Sequence, residues 1–141
     1  MTVCFFGHRD TPESAQSILH RTLVELIEQH GADRFYVGNQ GSFDVMVLAT
    51  LKMLKKQYPH IQYAVVLAYL PTQAENFSDT VYPEGLETVP RRYAIDHRNR
   101  WMIEQAETVV CYVSHSFGGA PKYQEFACKK GRQVLNLYGR K

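Results

Sequence analysis

Three times along this chain an apolar run breaks off at a glycine-containing turn and a helix-forming pattern follows. That recurrence constrains the fold more than any other feature. Its fullest example is Val109–Val113, then His115-Ser116-Phe117-Gly118-Gly119-Ala120, then Pro121–Lys130. An apolar, β-branched run of this length reads as a strand covered on both faces. Gly118 and Gly119 allow a sharp turn and a close backbone approach. Pro121 suits the first helical position, where its missing N–H costs nothing. Strand, glycine turn and helix N-terminus together aim free N–H groups and the positive end of the helix dipole at one spot, which makes an anion site. An ordinary βα turn shares the pattern, so the stretch alone does not select a ligand.

The rest of the chain repeats this order. Thr2–Phe6 is a short apolar strand, followed by the turn Gly7-His8-Arg9-Asp10. Thr11 can cap a helix with Pro12 at its first position, and Ile18, Leu19, Leu23, Leu26 and Ile27 recur at helical spacing as far as Gly31. Arg34–Val37 is the second strand and Gly38-Asn39-Gln40-Gly41 the second glycine turn. Ser42 then caps a helix carrying Val45, Leu48, Ala49, Leu51 and Leu54, and Gln62–Ala68 is the third strand. Residues 71–90 hold three prolines and few aliphatics and fit neither pattern. A loop this long in a compact chain is functional or mobile, which makes it a candidate lid. Tyr82, Pro83 and Leu86 are its candidate anchors. A helix resumes at Tyr93, with Ile95, Met102 and Ala106 on one face, and Val134–Tyr138 is the last strand. Strands alternating with helices predict an α/β fold, a mostly parallel sheet of about five strands with helices on both faces. In such a sheet ligands bind outside the carboxyl ends of the strands, where strand order reverses. The loops 7–10, 38–42 and 115–121 leave those ends.

Composition bounds the partners. The 141 residues are expected to form one domain, 45% hydrophobic and 21% charged, an ordinary globular balance. A net charge of +2 makes no case for nucleic acid by itself. Cys4, Cys111 and Cys128 lack metal-ligand spacing, and Cys4 and Cys111 fall in apolar strands. The first strand begins at once, with no basic leader, and no apolar run reaches membrane-spanning length. The expectation is a cytoplasmic chain with no metal, no cofactor and no membrane.

Arg98 is the most informative single residue. It lies three after Ile95 and four before Met102, on the apolar face of its helix, and must find an anion or a carboxylate there. Glu125, one turn into the next helix, can meet it across the crevice, as a structural or a catalytic pair. Arg9 can clamp a phosphate, and His8 can do so or bond its own loop. Asp44 either complements the helix dipole or accepts a ribose hydroxyl. Asn99 can bond a sugar or its own backbone. A Ser116–His115 nucleophile lacks a third partner and a G-x-S-x-G elbow. His20, His30, His60 and His97 show no ligand spacing.

With Gly7-His8-Arg9, Gly38-x-x-Gly41-x-Phe43-Asp44, Arg98-Asn99-Arg100-Trp101-Met102 and Gly118-Gly119-Ala120 in this order, the chain resembles the SLOG superfamily over essentially its whole length. That group takes in the Smf/DprA proteins, the LOG phosphoribohydrolases and a YpsA-like branch, to which the resemblance is closest. It implies a Rossmann-like, three-layer fold, a nucleotide-derived ligand and pairing as a homodimer or higher homo-oligomer. In LOG enzymes an arginine and a glutamate cut the N-glycosidic bond of a nucleoside monophosphate, and Arg98 and Glu125 stand at the matching positions. LOG enzymes carry Pro-Gly-Gly-x-Gly-Thr at the phosphate turn. Here Phe117 replaces the proline and Pro121-Lys122 replaces Gly-Thr, with Lys122 a candidate to compensate by charge. DprA-like proteins bind single-stranded DNA, but this chain has no basic run, so nucleic acid is not expected as a partner.

The reading that follows is a nucleotide-binding sensor or carrier. Its ligand-binding residues would be Gly7, His8, Arg9, Gly38, Asn39, Gly41, Asp44, Asn99, Ser116, Gly118, Gly119 and Lys122. The alternatives are a hydrolase of nucleoside monophosphates acting through Arg98 and Glu125, and an interaction protein with a vestigial pocket.

Overall fold

A computed structural model describes residues 1–69 and 80–140. Its strands are β1 (Thr2–Gly7), β2 (Arg34–Val37), β3 (Gln62–Val66), β4 (Thr80–Val81), β5 (Thr108–Tyr112) and β6 (Gln133–Asn136). Its α-helices are α1 (Ala15–His30), α2 (Gly41–Gln57), α3 (Ala94–Gln105) and α4 (Gly119–Lys129). The strands form one all-parallel sheet in the order β4-β3-β2-β1-β5-β6. The chain walks outward from β1 to β4, then returns to the other side of β1 for β5. Strand order therefore reverses between β1 and β5, and a crevice opens at their carboxyl ends. This is a three-layer, Rossmann-like α/β fold.

The period of two along the central strands sorts the core into two layers. Val3 and Phe5 of β1 and Val110 of β5 pack with Leu19, Leu23 and Leu26 of α1 and Val47, Leu51 and Leu54 of α2. Cys4, Phe6, Val109 and Cys111 face the other way, onto Met102 and Ile103 of α3 and Tyr123 and Ala127 of α4. Both faces are covered, which is why these strands read as unbroken apolar runs.

Local details depart from the expected picture in residues 80–90, at two helix starts and in the rotation of α2. The sheet has six strands, because the segment read as patternless contributes β4, which pairs with β3 through Val65–Thr80 and Val66–Val81. A two-residue strand carries no periodicity for a sequence to show. Within 71–90, residues 71–79 lie outside the described residues, so the lid expectation for them does too. Residues 80–90 are tied down by a 3₁₀ turn at Leu86–Thr88, by buried Pro83, and by Leu86 packed with Ala68 and Ala94. Thr11 and Ser42 are not caps. The Thr11 hydroxyl donates to the His8 carbonyl at 2.6 Å, and the Ser42 hydroxyl donates to the Thr11 carbonyl at 3.1 Å. Finally, α2 turns Phe43, Val47, Thr50, Leu51 and Leu54 inward, leaving Val45 exposed. The Phe43 ring sets that rotation. It lies so close over Gly7 that a Cβ there would be 2.3 Å from its Cγ.

Candidate functional site

A cleft of about 430 Å³ opens at the carboxyl ends of β1 and β5. Three loops and α3 enclose it. Gly7, His8, Arg9 and Asp10 come from the β1 loop, Gly38 and Gln40 from the β2 loop, and His115, Phe117, Gly118 and Gly119 from the β5 loop. Asp44 enters from α2, Ile95, Arg98, Asn99 and Met102 from α3, and Tyr123 from α4.

The first two loops are locked together. The Ser42 N–H donates to the Arg9 carbonyl at 3.0 Å. Gly41 has a φ of +88°, and a Cβ there would come within 2.8 Å of the Arg9 Cα. Arg9 Nη2 in turn donates to Gln40 Oε1 at 3.2 Å. Gly41 thus shapes the rim by letting the loops touch, without itself lining the cleft.

Arg98 is only 3% exposed, and among the described residues its hydrogen bonds go to neutral oxygens. Its Nε donates to Asn99 Oδ1 at 3.0 Å, and its Nη1 donates to Asn39 Oδ1 at 3.0 Å and to the Val66 carbonyl at 3.5 Å. Asn39 and Asn99 therefore orient the guanidinium. Burial lowers the Arg98 pKa and Asp44 works against that, but a guanidinium stays charged regardless. Asp44 accepts the Gln40 N–H on Oδ2 at 2.8 Å. Burial pushes its carboxyl up to about 6, while the Gln40 N–H and Arg98 pull it down.

At the mouth three rings stack. His8 and His115 have centroids 3.5 Å apart and planes 14° from parallel, and His115 and Phe117 follow at 3.7 Å and 16°. His8 Nε2 accepts the Ser114 N–H at 3.0 Å, so its neutral ring carries the proton on Nδ1. Burial holds the His8 imidazole below its ordinary value, and neighbouring His115 adds to the effect. His115 Nδ1 is enclosed without a hydrogen-bond partner among the described residues. The outermost ring, Phe117, is 71% exposed.

Of the expected site residues, Gly7, His8, Arg9, Gly38, Asp44, Arg98, Asn99, Gly118 and Gly119 line this cleft. Asn39, Gly41, Ser116, Lys122 and Glu125 do not. Gly7 is needed chiefly for the ring of Phe43. Lys122 donates to Asp96 Oδ1 at 3.1 Å and is drawn away from the glycine turn. Glu125 does not meet Arg98. It sits on the exposed side of α4, 69% exposed, paired with Lys129 at 3.1 Å. On α4 it is Ala120, Tyr123 and Ala127 that face inward, and Glu125 falls two positions from Tyr123, on the opposite side. The carboxylate near Arg98 is Asp44. No group of three His, Cys, Asp or Glu side chains is placed to hold a metal among the described residues, and no described helix is long and apolar enough to cross a membrane.

Sequence reasoning passed over Phe117, Gln40 and Tyr123. Phe117 carried a signal all the same, being an aromatic between Ser116 and a Gly-Gly turn, where no core is at hand to bury it.

Cation–ring pairs lie just ahead of α3. A 3₁₀ turn at Arg91–Tyr93 leads into α3. Arg91 lies over the Tyr69 ring at 4.3 Å and Arg92 over Tyr93 at 4.8 Å.

No family model matches the chain, and no curated protein matches it. Solved structures do. DNA processing protein A (DprA) from Streptococcus pneumoniae is similar over 94% of this chain and 48% of its own, with a TM-score of 0.67 at 14% identity. DNA processing protein A from Helicobacter pylori, in a structure concerned with its single-stranded DNA binding mode, is similar over 95% of this chain and 63% of its own, with a TM-score of 0.66 at 14% identity. The chain thus spans less than two thirds of either neighbour, and its fold is DprA-like. Two expectations fall with this finding. A DprA-like fold is found in a protein that binds single-stranded DNA, so a low net charge and the lack of a basic run do not exclude nucleic acid. The reading of the cleft as a small-molecule nucleotide site, sensor or hydrolase, gives way as well.

Proposed function

We propose that this chain binds single-stranded DNA across the carboxyl edge of its sheet. The observation that carries the reading is the exposed Phe117 ring, held flat on His115 and His8 at the mouth of the cleft. A ring held flat on two stacked rings with its outer face open is a ready stacking platform, and every base offers a π face. Arg9 lines the same cleft, Arg91 and Arg92 stand in the turn that leads into α3, and all three suit a phosphate backbone. The N–H groups at the start of α4, freed by Gly118 and Gly119, add uncharged anion donors. The DprA-like fold supports the reading from outside the chain, and the motifs at 7–9, 38–44, 98–102 and 118–120, taken together, support a place in the YpsA-like branch.

The test is fluorescence anisotropy with a labelled 20-nucleotide oligo-dT at two salt concentrations. Binding should weaken with salt. Phe117→Ala should weaken it by about 1–3 kcal/mol, the usual worth of one stacked base, without lowering Tm. No binding by the wild-type chain, or an unchanged affinity in the variant, overturns the reading.

A further inference from the structure

The interior of the cleft differs from its rim. Phe6, Ile95 and Met102 give it apolar walls, and two opposite charges face each other within it. Asp44 and Arg98 flank Gly38, whose missing side chain leaves the gap between them. A Cβ on Gly38 would lie 2.9 Å from Asp44 Oδ2, 3.2 Å from Arg98 Cζ and 3.3 Å from Arg98 Nη1. Each group is held rigidly through part of its hydrogen-bonding capacity and left open through the rest. Asp44 Oδ2 takes the Gln40 N–H, while Oδ1 has no partner among the described residues. Arg98 uses Nε and Nη1, while Nη2 has no partner among the described residues. The cleft therefore presents an open acceptor beside an open donor.

A phosphate does not suit this pair, because the Asp44 carboxylate repels it. A neutral group with donors and an acceptor side by side does. We propose that the cleft admits one guanine of the bound strand, with N1–H and N2–H donating to Asp44 and O6 accepting from Arg98, while a neighbouring base stacks on Phe117. Guanine is the base whose Watson–Crick edge sets two adjacent donors next to an acceptor. Adenine, cytosine and thymine each offer a carboxylate only one donor group on that edge, so one of the open groups is less well matched. Single-stranded bases are commonly read in this way, splayed out and bonded along that edge. A desolvated carboxylate or guanidinium left unmatched makes the wrong base costly.

This inference rests on the single-stranded DNA reading, and the experiment separates the two. Labelled 15-nucleotide oligo-dT is compared with the same strand carrying one central guanine, inosine, adenine or cytosine. The guanine strand should bind at least about tenfold more tightly than oligo-dT, within the usual worth of a bidentate base contact. Inosine, which lacks the N2 amino group, should lose most of that advantage. Asp44→Asn should collapse the guanine-to-thymine ratio toward one, since an amide keeps an oxygen for the Gln40 N–H but no longer accepts two base donors. If wild type binds oligo-dT and the ratio stays within twofold, the guanine site is wrong and strand binding stands. A guanine preference that survives Asp44→Asn also overturns it. If wild type binds none of the strands, both readings fail.

Discussion

Asp44 and Arg98 approach Gly38 so closely that one added carbon on that glycine would sit 2.9 Å from the carboxylate and 3.2 Å from the guanidinium carbon. Gly38 has no left-handed φ, so space alone demands glycine there. Gly38→Ala should lower stability by roughly 1–3 kcal/mol, the usual cost of overpacking, and weaken strand binding by displacing both side chains. Urea unfolding and anisotropy on one preparation check this. Unchanged stability would mean the pair can move apart freely.

Gly7 and Gly118 are both held to glycine, but for opposite physical reasons. At Gly7 the obstacle is Phe43, whose ring would lie 2.3 Å from a Cβ. At Gly118 a Cβ would meet nothing within 4 Å, but φ is +93°. With ψ at −174° this is backbone essentially reserved for glycine, so Gly118→Ala should cost about 1–3 kcal/mol of strain with the core intact. Gly7→Ala should cost more and disturb the packing of α2 on β1. Near-ultraviolet circular dichroism of the two variants distinguishes core from loop damage.

The sign of the Asp44 contribution to stability is unusual for a carboxylate. Burial raises its folded pKa from 3.8 to about 6, so between those values the folded chain holds more protons than the unfolded one. Stability from this group is fully present below pH 3.8 and is lost as pH rises through about 6. Wild-type stability minus that of Asp44→Asn should fall by about 3 kcal/mol across this window and stay flat above it. A difference that rises with pH would show that Arg98 outweighs burial.

His8 works in the opposite direction. Its folded pKa lies below the ordinary 6.5, through burial first and His115 second. Its contribution is present above pH 6.5 and is lost as pH falls through the lowered value. Protonation also removes the lone pair that accepts the Ser114 N–H. The stability advantage of wild type over His8→Gln should shrink between pH 7 and pH 5. An advantage that grows over that range would contradict a neutral His8.

Arg9 and Glu125 separate rim from exterior. Arg9→Ala should reduce the slope of log affinity against log salt by about 0.7, one phosphate contact on a single strand. Glu125→Gln should change neither affinity nor salt slope, and stability by no more than about 0.5 kcal/mol, because among the described residues it pairs only with exposed Lys129. A marked effect at Glu125 would return it to the site.

By itself the sequence determined the alternation of strands and helices, the three carboxyl-edge loops and the burial of Arg98. These follow from periodicity and glycine placement, which are local properties. It missed β4, too short to carry a period, and the rotation of α2, fixed by Phe43 resting on a glycine 36 positions away. Only the tertiary structure decided which carboxylate faces Arg98. Asp44 and Glu125 both stand near helix starts, and the angle at which α4 packs turns Glu125 into solvent. Only the fold, too, gathered His8, Arg9, His115 and Phe117 at one cleft. Charge that is dispersed along a chain leaves no run to read, yet a parallel sheet brings its carboxyl-end loops together in space.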